Sequence, residues 1–434
     1  MKQISEMDCD VLICGGGMAG TIAAVAAACQ GARVMLAERY GFLGGNATAG
    51  AVAQFNSWQT AAGRRVVAGM AQEVVDRLRS YGGAGEHEVF VMSTGHTMDR
   101  VAYAPEVLKL VLDDMVTEAG VQPLLHANLL DVSCVDRRVE TVRLLTKSGV
   151  IAVRPQVLVD TSGDLDALRQ AGARFLELEK GETLQPATMM FRFGPVNFEV
   201  LDAISKEEIT SLARQGYEAG ALARAALHCS RDPFSEDGWF NISRLAIDGT
   251  NALALGRAEI EGRRQAWSAA RFLREKVPGC EHGRLQAFAT QVGIRETRRV
   301  EGEHVLTAQD LLEPPGFQDA IAAGAYPIDI HPASGGELEY RSLGDDHAYQ
   351  IPLRSLIPVA LDNALVAGRG VSATHEALAA IRVMTISMAV GQAAGLAASM
   401  AAKNDQLGAV RGVDPVRLRA LLTEQGGLLA DQPD

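Results

Sequence analysis

A chain of 434 residues is too long for one ordinary hydrophobic core, and predicts two packed units or one nucleotide domain carrying insertions. Hydrophobic residues make up 47% of it and charged residues 22%, the composition of a soluble globular enzyme. The formal charge of −12 sets up net repulsion against polyanions, so no nucleic-acid partner is expected.

Met1 to Asp10 is acidic rather than basic and apolar, which predicts no secretory leader. A short apolar run from Asp10 to Cys14 is followed by glycines, an alanine-rich helix to about Gln30 and a second strand from Arg33 to Ala37, a β-turn-α-β unit. Val67, Met70, Val74, Val75 and Leu78 predict a helix over Val66 to Arg79, and Gly82 to Gly95 reads as a loop. Pro105 opens another helix and Gly120 stops it. From Val121 to Asp160 short Val- and Leu-rich strands, with turns near Asp136 and Ser148, predict an antiparallel meander and then a return strand, Val157 to Asp160, to a parallel sheet.

Between about Gly172 and Arg354 a β-like stretch (Thr188 to Phe193), two helical stretches (Glu207 to Leu227, Asn251 to Lys276) and a Pro- and Gly-rich connection (Pro314 to Gly336) suggest a separate substrate unit. Asn363 to Ala367 reads as a last buried strand, Glu376 to Lys403 as one long helix closely packed through Gly391 and Gly395, and the tail from Asp405 as peripheral. Val11 to Cys29 and Ala377 to Met400 are apolar enough to raise the question of membrane spans. Three glycines break the first and Arg382 interrupts the second, so tight helix-to-sheet packing without a membrane is the expectation.

Gly15, Gly17 and Gly20 form a GxGxxG between the first strand and the first helix, where backbone can approach a pyrophosphate seated on the helix N-terminus. Glu38 ends the second strand 18 residues after Gly20, in reach of ribose hydroxyls; a ligand-free glycine turn is the competing reading. Gly44, Gly45, Asn46, Ala47 and Thr48 add flexible backbone where an extended dinucleotide would have its second half. The turn Asp160 to Asp164 closes a strand beside the first, and also reads as a helix cap by Ser162 or Asp164.

With these residues the chain resembles the FAD-dependent oxidoreductases related to fumarate reductase flavoproteins and other glutathione-reductase-like flavoproteins. The resemblance is carried by Asp10 to Gly20, Glu38 with Gly44 to Thr48, Tyr103 to Gly120, Val159 to Asp164, Gly293 to Arg299, Tyr326 to His331 and Tyr349 to Arg382. It implies an α/β fold: a Rossmann-like FAD-binding domain, parallel sheet plus β-meander, from residues 8–50, 102–171 and 355–403. An inserted α+β substrate domain would comprise residues 51–101 and 172–354, with a peripheral tail at 404–434. It further implies that Gly15, Gly17, Gly20 and Glu38, flanked by Met18, Ala19 and Arg39, hold the ADP half, with Leu129 backbone against the adenine. Gly44, Gly45, Asn46 and Ala47 would border the flavin, and Thr161, Ser162, Gly163, Gly368, Arg369, Ala380 and Arg382 would complete the cofactor site. No His lies between Gly44 and Gly50, so FAD is expected to be held non-covalently.

Arg295, Arg298, Arg299, Arg354 and Arg382 fall in segments that the resemblance brings near the flavin. Arginine clamps a carboxylate or phosphate with two parallel hydrogen bonds, which suits a small anionic or polar substrate; structural ion pairs with Glu296, Glu301 or the pyrophosphate are the alternative. His331 and His375 are the candidate proton-transfer groups, Arg295 and Arg354 the candidate substrate clamps, and ordinary hydrogen-bonded loop histidines the plainer reading. Asp329, His331, Asp345, Asp346 and His347 lack metal-ligand spacing, so no metal is expected. Cys9, Cys14, Cys29, Cys134, Cys229 and Cys280 form no CxxC pair, which fits a reducing cytoplasm; nothing in the sequence opposes a homo-oligomer. The expected activity is hydride transfer between the substrate and FAD. A flavoprotein acting on tRNA or another nucleic acid, or a non-redox dinucleotide-binding module, are the alternatives.

Overall fold

β1 (Gln3–Cys14) is central in the largest sheet, and its Val11, Leu12 and Ile13 are fully buried because both faces are covered. The structure, a computed structural model, describes residues 3–92, 95–331, 339–403 and 408–429. α1 (Met18–Cys29) returns the chain to β2 (Val34–Ala37), which lies parallel to β1 as the sequence predicts. Every α1 residue from Met18 to Ala27 is buried, so the helix has almost no polar face.

β3 (Gln54–Asn56), α2 (Met70–Ser80), β4 (Glu88–Val91) and β5 (Thr97–Ala102) follow, with β3 and β4 flanking β5 antiparallel. The helix predicted from Val66 begins only at Met70. Gly69 at φ +63 interrupts it, and the Val66 and Val67 amides donate to the Trp58 carbonyl instead. The segment read as a loop, Gly82 to Gly95, carries β4, while its residues 93 and 94 lie outside the described residues.

α3 (Pro105–Glu118) starts at Pro105 and ends before Gly120, whose φ of +74 takes the chain out of the helix. β6 (Gln122–Leu124) then pairs with β2. β7 (Asn128–Val135), β8 (Arg138–Thr146) and β9 (Gly149–Asp160) form the meander, and Asp136 and Arg137, at φ +45 and +65, make the first hairpin turn. The return strand predicted at Val157 to Asp160 pairs parallel with β1 as expected, but it is continuous with the last meander strand: β9 is one strand, antiparallel to β8 and parallel to β1. The sheet order is β6-β2-β1-β9-β8-β7, and α4 (Asp166–Gln170) follows β9.

A second core forms from β10 (Phe191–Gly194), α5 (Phe198–Ala203), α6 (Lys206–Glu218), β11 (Cys229–Arg231), β12 (Gly238–Phe240), α7 (Ala252–Lys276) and β13 (Arg284–Phe288). Its sheet runs β11-β12-β10-β13, with Phe191, Phe193, Phe240 and Leu273 at the centre. α6 stops well short of Leu227 because Gly220, at φ +70, terminates it.

The chain returns through α8 (Ala308–Leu312), β14 (Ala320–Gly324), β15 (Ile328–Ile330), β16 (Glu339–Arg341), β17 (Tyr349–Pro352) and β18 (Ala364–Val366), the last pairing with β9 in the main sheet. β14 and β15 occupy part of the predicted connection Pro314 to Gly336, of which residues 332–336 lie outside the described residues. Residues 51–101 and 300–354, assigned to the substrate unit on sequence grounds, send Phe55, Trp58, Val74, Ile321 and Ile351 into the larger core.

The predicted single helix from Glu376 to Lys403 is two, α9 (His375–Ile381) and α10 (Met384–Ala402), separated where Val383 takes extended backbone at ψ 149. α10 is long and apolar enough to cross a membrane, yet 83% of its apolar window is buried inside the protein, mostly against α1 and the sheet. The tail is not peripheral: α11 (Pro415–Glu424) packs on α10 and buries Leu418, Leu421 and Leu422 in the main core.

Candidate active site

The loop from β1 to α1 is built for close backbone approach. Gly15 has φ +107, a Cβ there would lie 2.6 Å from Ser162 Cα, and a Cβ on Gly20 would lie 1.9 Å from the Gly15 carbonyl oxygen. The Gly44 amide donates to the Gly16 carbonyl at 2.7 Å, so the two glycine segments meet backbone to backbone. Glu38, at the end of β2, accepts hydrogen bonds from the Gly16 amide at 2.7 Å and the Tyr40 amide at 2.9 Å. Thr161, just past β9, donates from its hydroxyl to the Gly15 carbonyl at 2.6 Å.

These contacts form one open cleft at the C-terminal ends of the parallel strands, with the N-terminus of α1 facing it. Of the predicted residues, Gly15, Gly17, Met18, Ala19, Glu38, Arg39, Gly44, Gly45 and Asn46 line it from one half of the chain. Thr161, Ser162 and Gly163 line it beside β9, and Gly368, Arg369 and Arg382 close it from the C-terminal segment. Gly20 and Ala47 are buried behind the lining, Leu129 lies in β7 opposite Leu144, and Ala380 is buried in α9. Of the two capping residues expected for α4, Ser162 accepts from the Asp166 amide at 3.1 Å although Leu165, at φ +57, holds the N-cap position, while Asp164 pairs with Arg369 at 3.1 Å.

Tyr40, Gln291, Met384 and Ser387 also line the cleft. Tyr40 was legible, two residues after Glu38. Gln291, just before the Gly293 to Arg299 segment, accepts from Arg39 Nη2 at 2.8 Å and from the Tyr40 hydroxyl, bridging the cleft from the other unit. Met384 and Ser387 begin α10, a helix start with no sequence signal. The lining fits FAD: Arg369 Nη1 and Arg382 Nε are buried without a protein hydrogen-bond partner, which suits a pyrophosphate or an anionic ligand, and a Cβ on Gly163 would strike Arg369 at 2.5 Å.

Beside this cleft lies a second cluster, joined to it through Arg382. Arg382 donates to Gln185 Oε1 at 3.0 Å and lies 3.5 Å from the Asp329 carbonyl. Asp329 is buried, accepts from the Tyr326 hydroxyl at 2.9 Å, and lies 3.4 Å from His331 Nε2; its Oδ1 has no partner. Arg244 Nη2 lies 3.0 Å from His331 Nδ1, with its Nη1 buried and unpartnered. Arg295 donates to the Pro186 carbonyl at 2.5 Å and to Thr188 Oγ1 at 2.7 Å.

Burial, then the neighbouring Arg244, Arg382 and Arg224, push Arg295 well below the usual guanidinium range, and burial with Arg224 lowers Arg244 to about 9. Burial and the same cations hold His331 well below the ordinary imidazole value. Arg224 and Arg244 lie in segments without a recognisable motif, so sequence reasoning missed both.

Other predicted residues lie elsewhere. Arg354 is a half-exposed surface residue fixed to Asp319 at 3.0 Å, because the turn after β17 points it outward. Arg298 holds the Asp164 carbonyl at 2.7 Å and Asp166 at 3.0 Å, and Arg299 braces Ala373 and Glu177. His375 is buried at the start of α9, with Nδ1 2.8 Å from Glu296, and does not line the cleft. Among the described residues no group of three or more His, Cys, Asp or Glu is placed to hold a metal ion.

The parallel sheet, the glycine cradle and the C-terminal closure define a Rossmann-like dinucleotide-binding flavoprotein. The chain belongs to the FAD dependent oxidoreductase family, whose model matches residues 10–422; it is an oxidoreductase and its cofactor is FAD. No curated protein matches it significantly. Among solved structures it is similar to a geranylgeranyl bacteriochlorophyll reductase-like protein of Thermoplasma acidophilum, at 12% identity and TM-score 0.48 over 98% of this chain and 89% of that one. It is also similar to p-nitrophenol 4-monooxygenase of Pseudomonas putida, at 11% identity and TM-score 0.48 over 99% and 91% of the two chains. A flavin-dependent brominase aligns at 13% identity and TM-score 0.48, over 97% and 84%.

Proposed function

We propose that the enzyme transfers a hydride between a small organic anion and non-covalently held FAD, with the smaller unit and β15 supplying the substrate pocket. Arg382 carries this reading, because it lines the cofactor cleft and also reaches Gln185 and Asp329 in the arginine cluster. A ligand bound among the arginines would therefore lie next to the cofactor. FAD, when bound, accepts or gives up the hydride.

The chain's own groups bind, orient and move the proton. Arginine can only donate, so His331 Nδ1 accepts from Arg244 and the ring proton sits on Nε2, facing Asp329. Asp329, whose Oδ1 has no partner, is then the group that takes or returns the substrate proton, and His331 orients it from Nε2. Arg295 and Arg382 orient the anion. Among the described residues the cleft lining contains no His or Cys, which supports non-covalent attachment. The buried thiols Cys9, Cys14 and Cys280 support a reducing, cytoplasmic setting.

The test is anaerobic stopped-flow absorbance with small hydroxy- and saturated carboxylic acids, each set against its neutral amide. Acids should bleach the flavin, with slower bleaching when the transferred C–H is deuterated. Equal bleaching by the amides would remove the anion, and no isotope effect in a chemistry-limited reaction would remove the hydride.

A further inference from the structure

Four guanidinium groups, Arg224, Arg244, Arg295 and Arg382, act on one another and on His331, and Asp329 is the carboxylate among the described residues that acts on Arg224, Arg244 and Arg295. Their hydrogen bonds fall short of what they offer. Arg224 has no hydrogen-bond or ion-pair partner among the described residues, and Arg244 Nη1 and Arg382 Nε are buried and unpartnered. Arg295 spends its bonds on a carbonyl and a hydroxyl, both neutral acceptors.

Like charges crowded away from water repel strongly, and a structural ion-pair network would carry acids in matching number. Many of the protein's other arginines are paired in this way: Arg354 has Asp319, Arg369 has Asp164, and Arg411 has Glu303 and Asp362. Here four cations face one carboxylate among the described residues. A ligand with one negative charge would still leave an excess of buried positive charge.

We infer that the ligand of this cluster is a dianion, either a dicarboxylate or a phosphate monoester, and that Arg224 and Arg244 select it over monoanions. The inference rests on the substrate reading above and sharpens it. Arg382 belongs to the cofactor side of the cluster, whereas Arg224 and Arg244 come from the smaller unit, so two anionic groups can be held from two sides. Asp329 and His331 lie among these cations, which keeps the proton-handling pair beside the bound ligand.

The test titrates the FAD-loaded full-length enzyme with glutarate, its five-carbon monoanionic counterpart pentanoate, and methyl phosphate, following perturbation of the flavin spectrum. Each additional charge-assisted hydrogen bond contributes about 10- to 100-fold in affinity, so glutarate or methyl phosphate should bind at least about tenfold more tightly than pentanoate. Tighter glutarate points to a dicarboxylate, and tighter methyl phosphate to a phosphate monoester. Arg224→Gln and Arg244→Gln should each shrink the dianion preference about tenfold, and Arg244→Lys, which keeps the charge, should restore part of it. FAD content and melting temperature verify that the variants are folded.

Pentanoate binding as tightly as both dianions would overturn the inference while leaving the anion reading standing. So would an undiminished preference in both glutamine variants. If none of the three probes perturbs the flavin and neutral compounds reduce it, both fall together.

Discussion

Arg244 Nη2 lies 3.0 Å from His331 Nδ1, which places a cation where a catalytic imidazole would otherwise be free to pick up a proton. Burial first, and then Arg295, Arg382 and Arg244, keep the histidine neutral in the folded enzyme. His228 shares the condition, lowered to about 4 by burial first and then by Arg224, Arg100 and Arg295.

Acid should therefore destabilise the fold well before the carboxylates titrate. Below the ordinary histidine value of about 6.5 the unfolded chain binds protons at these positions and the folded chain does not, so stability falls as pH drops from about 6.5 toward 4. His228 alone accounts for roughly 2 kcal/mol by pH 5. Urea unfolding at pH 7 and pH 5 measures the difference, and His228→Gln should narrow it; an unchanged gap would show that the imidazole is solvated.

His375 works in the opposite sense. Burial disfavours its charged form, but the hydrogen bond to Glu296 and the charge of that residue outweigh this and raise its pKa. Its contribution is fully present below about pH 6.5 and is lost as pH rises through the raised folded value. His375→Gln should cost on the order of 3 kcal/mol at pH 6 and clearly less at pH 9, read from melting temperatures. Equal losses at both values would mean that the pair is not ionic.

Glu38→Ala should weaken FAD binding about 10- to 100-fold, because the carboxylate positions the Gly16 amide and lines the cleft. Titration of apo-protein with FAD gives the affinity directly. Unchanged binding would remove Glu38 from the cofactor site.

Two arginines predicted to share a role should part company. Arg295→Ala should slow flavin reduction at least tenfold with FAD retained, while Arg354→Ala, which breaks only the surface pair with Asp319, should leave the rate near wild type. Stopped-flow reduction distinguishes them, and a large loss in Arg354→Ala would mean that the surface placement does not describe the working enzyme.

The contact of α1 with α10 leaves no room for a methyl group. A Cβ on Gly391 would lie 2.3 Å from the Ala19 carbonyl oxygen, and one on Gly395 would lie 2.1 Å from that of Ala23. Gly391→Ala should destabilise by about 1 to 3 kcal/mol and lower FAD affinity through α1. Gly256→Ala in α7, where a Cβ meets open space, should instead stabilise by roughly 0.5 to 1 kcal/mol, and denaturant midpoints report both.

The sequence alone determined the opening β-α-β unit, its glycine cradle and Glu38, because these depend on contacts within about thirty residues and on backbone conformations that few residues adopt. It also located the C-terminal strand and the meander. It could not show the break between α9 and α10, since Arg382 and Val383 carry no glycine or proline and the apolar pattern runs through them. Nor could it separate Arg295, held inside, from Arg354, turned to solvent, or bring in Arg224 and Arg244. An arginine reads the same in sequence whether buried beside three others or paired at the surface; only the packing of the smaller unit against the cleft decides which cations are left without a partner.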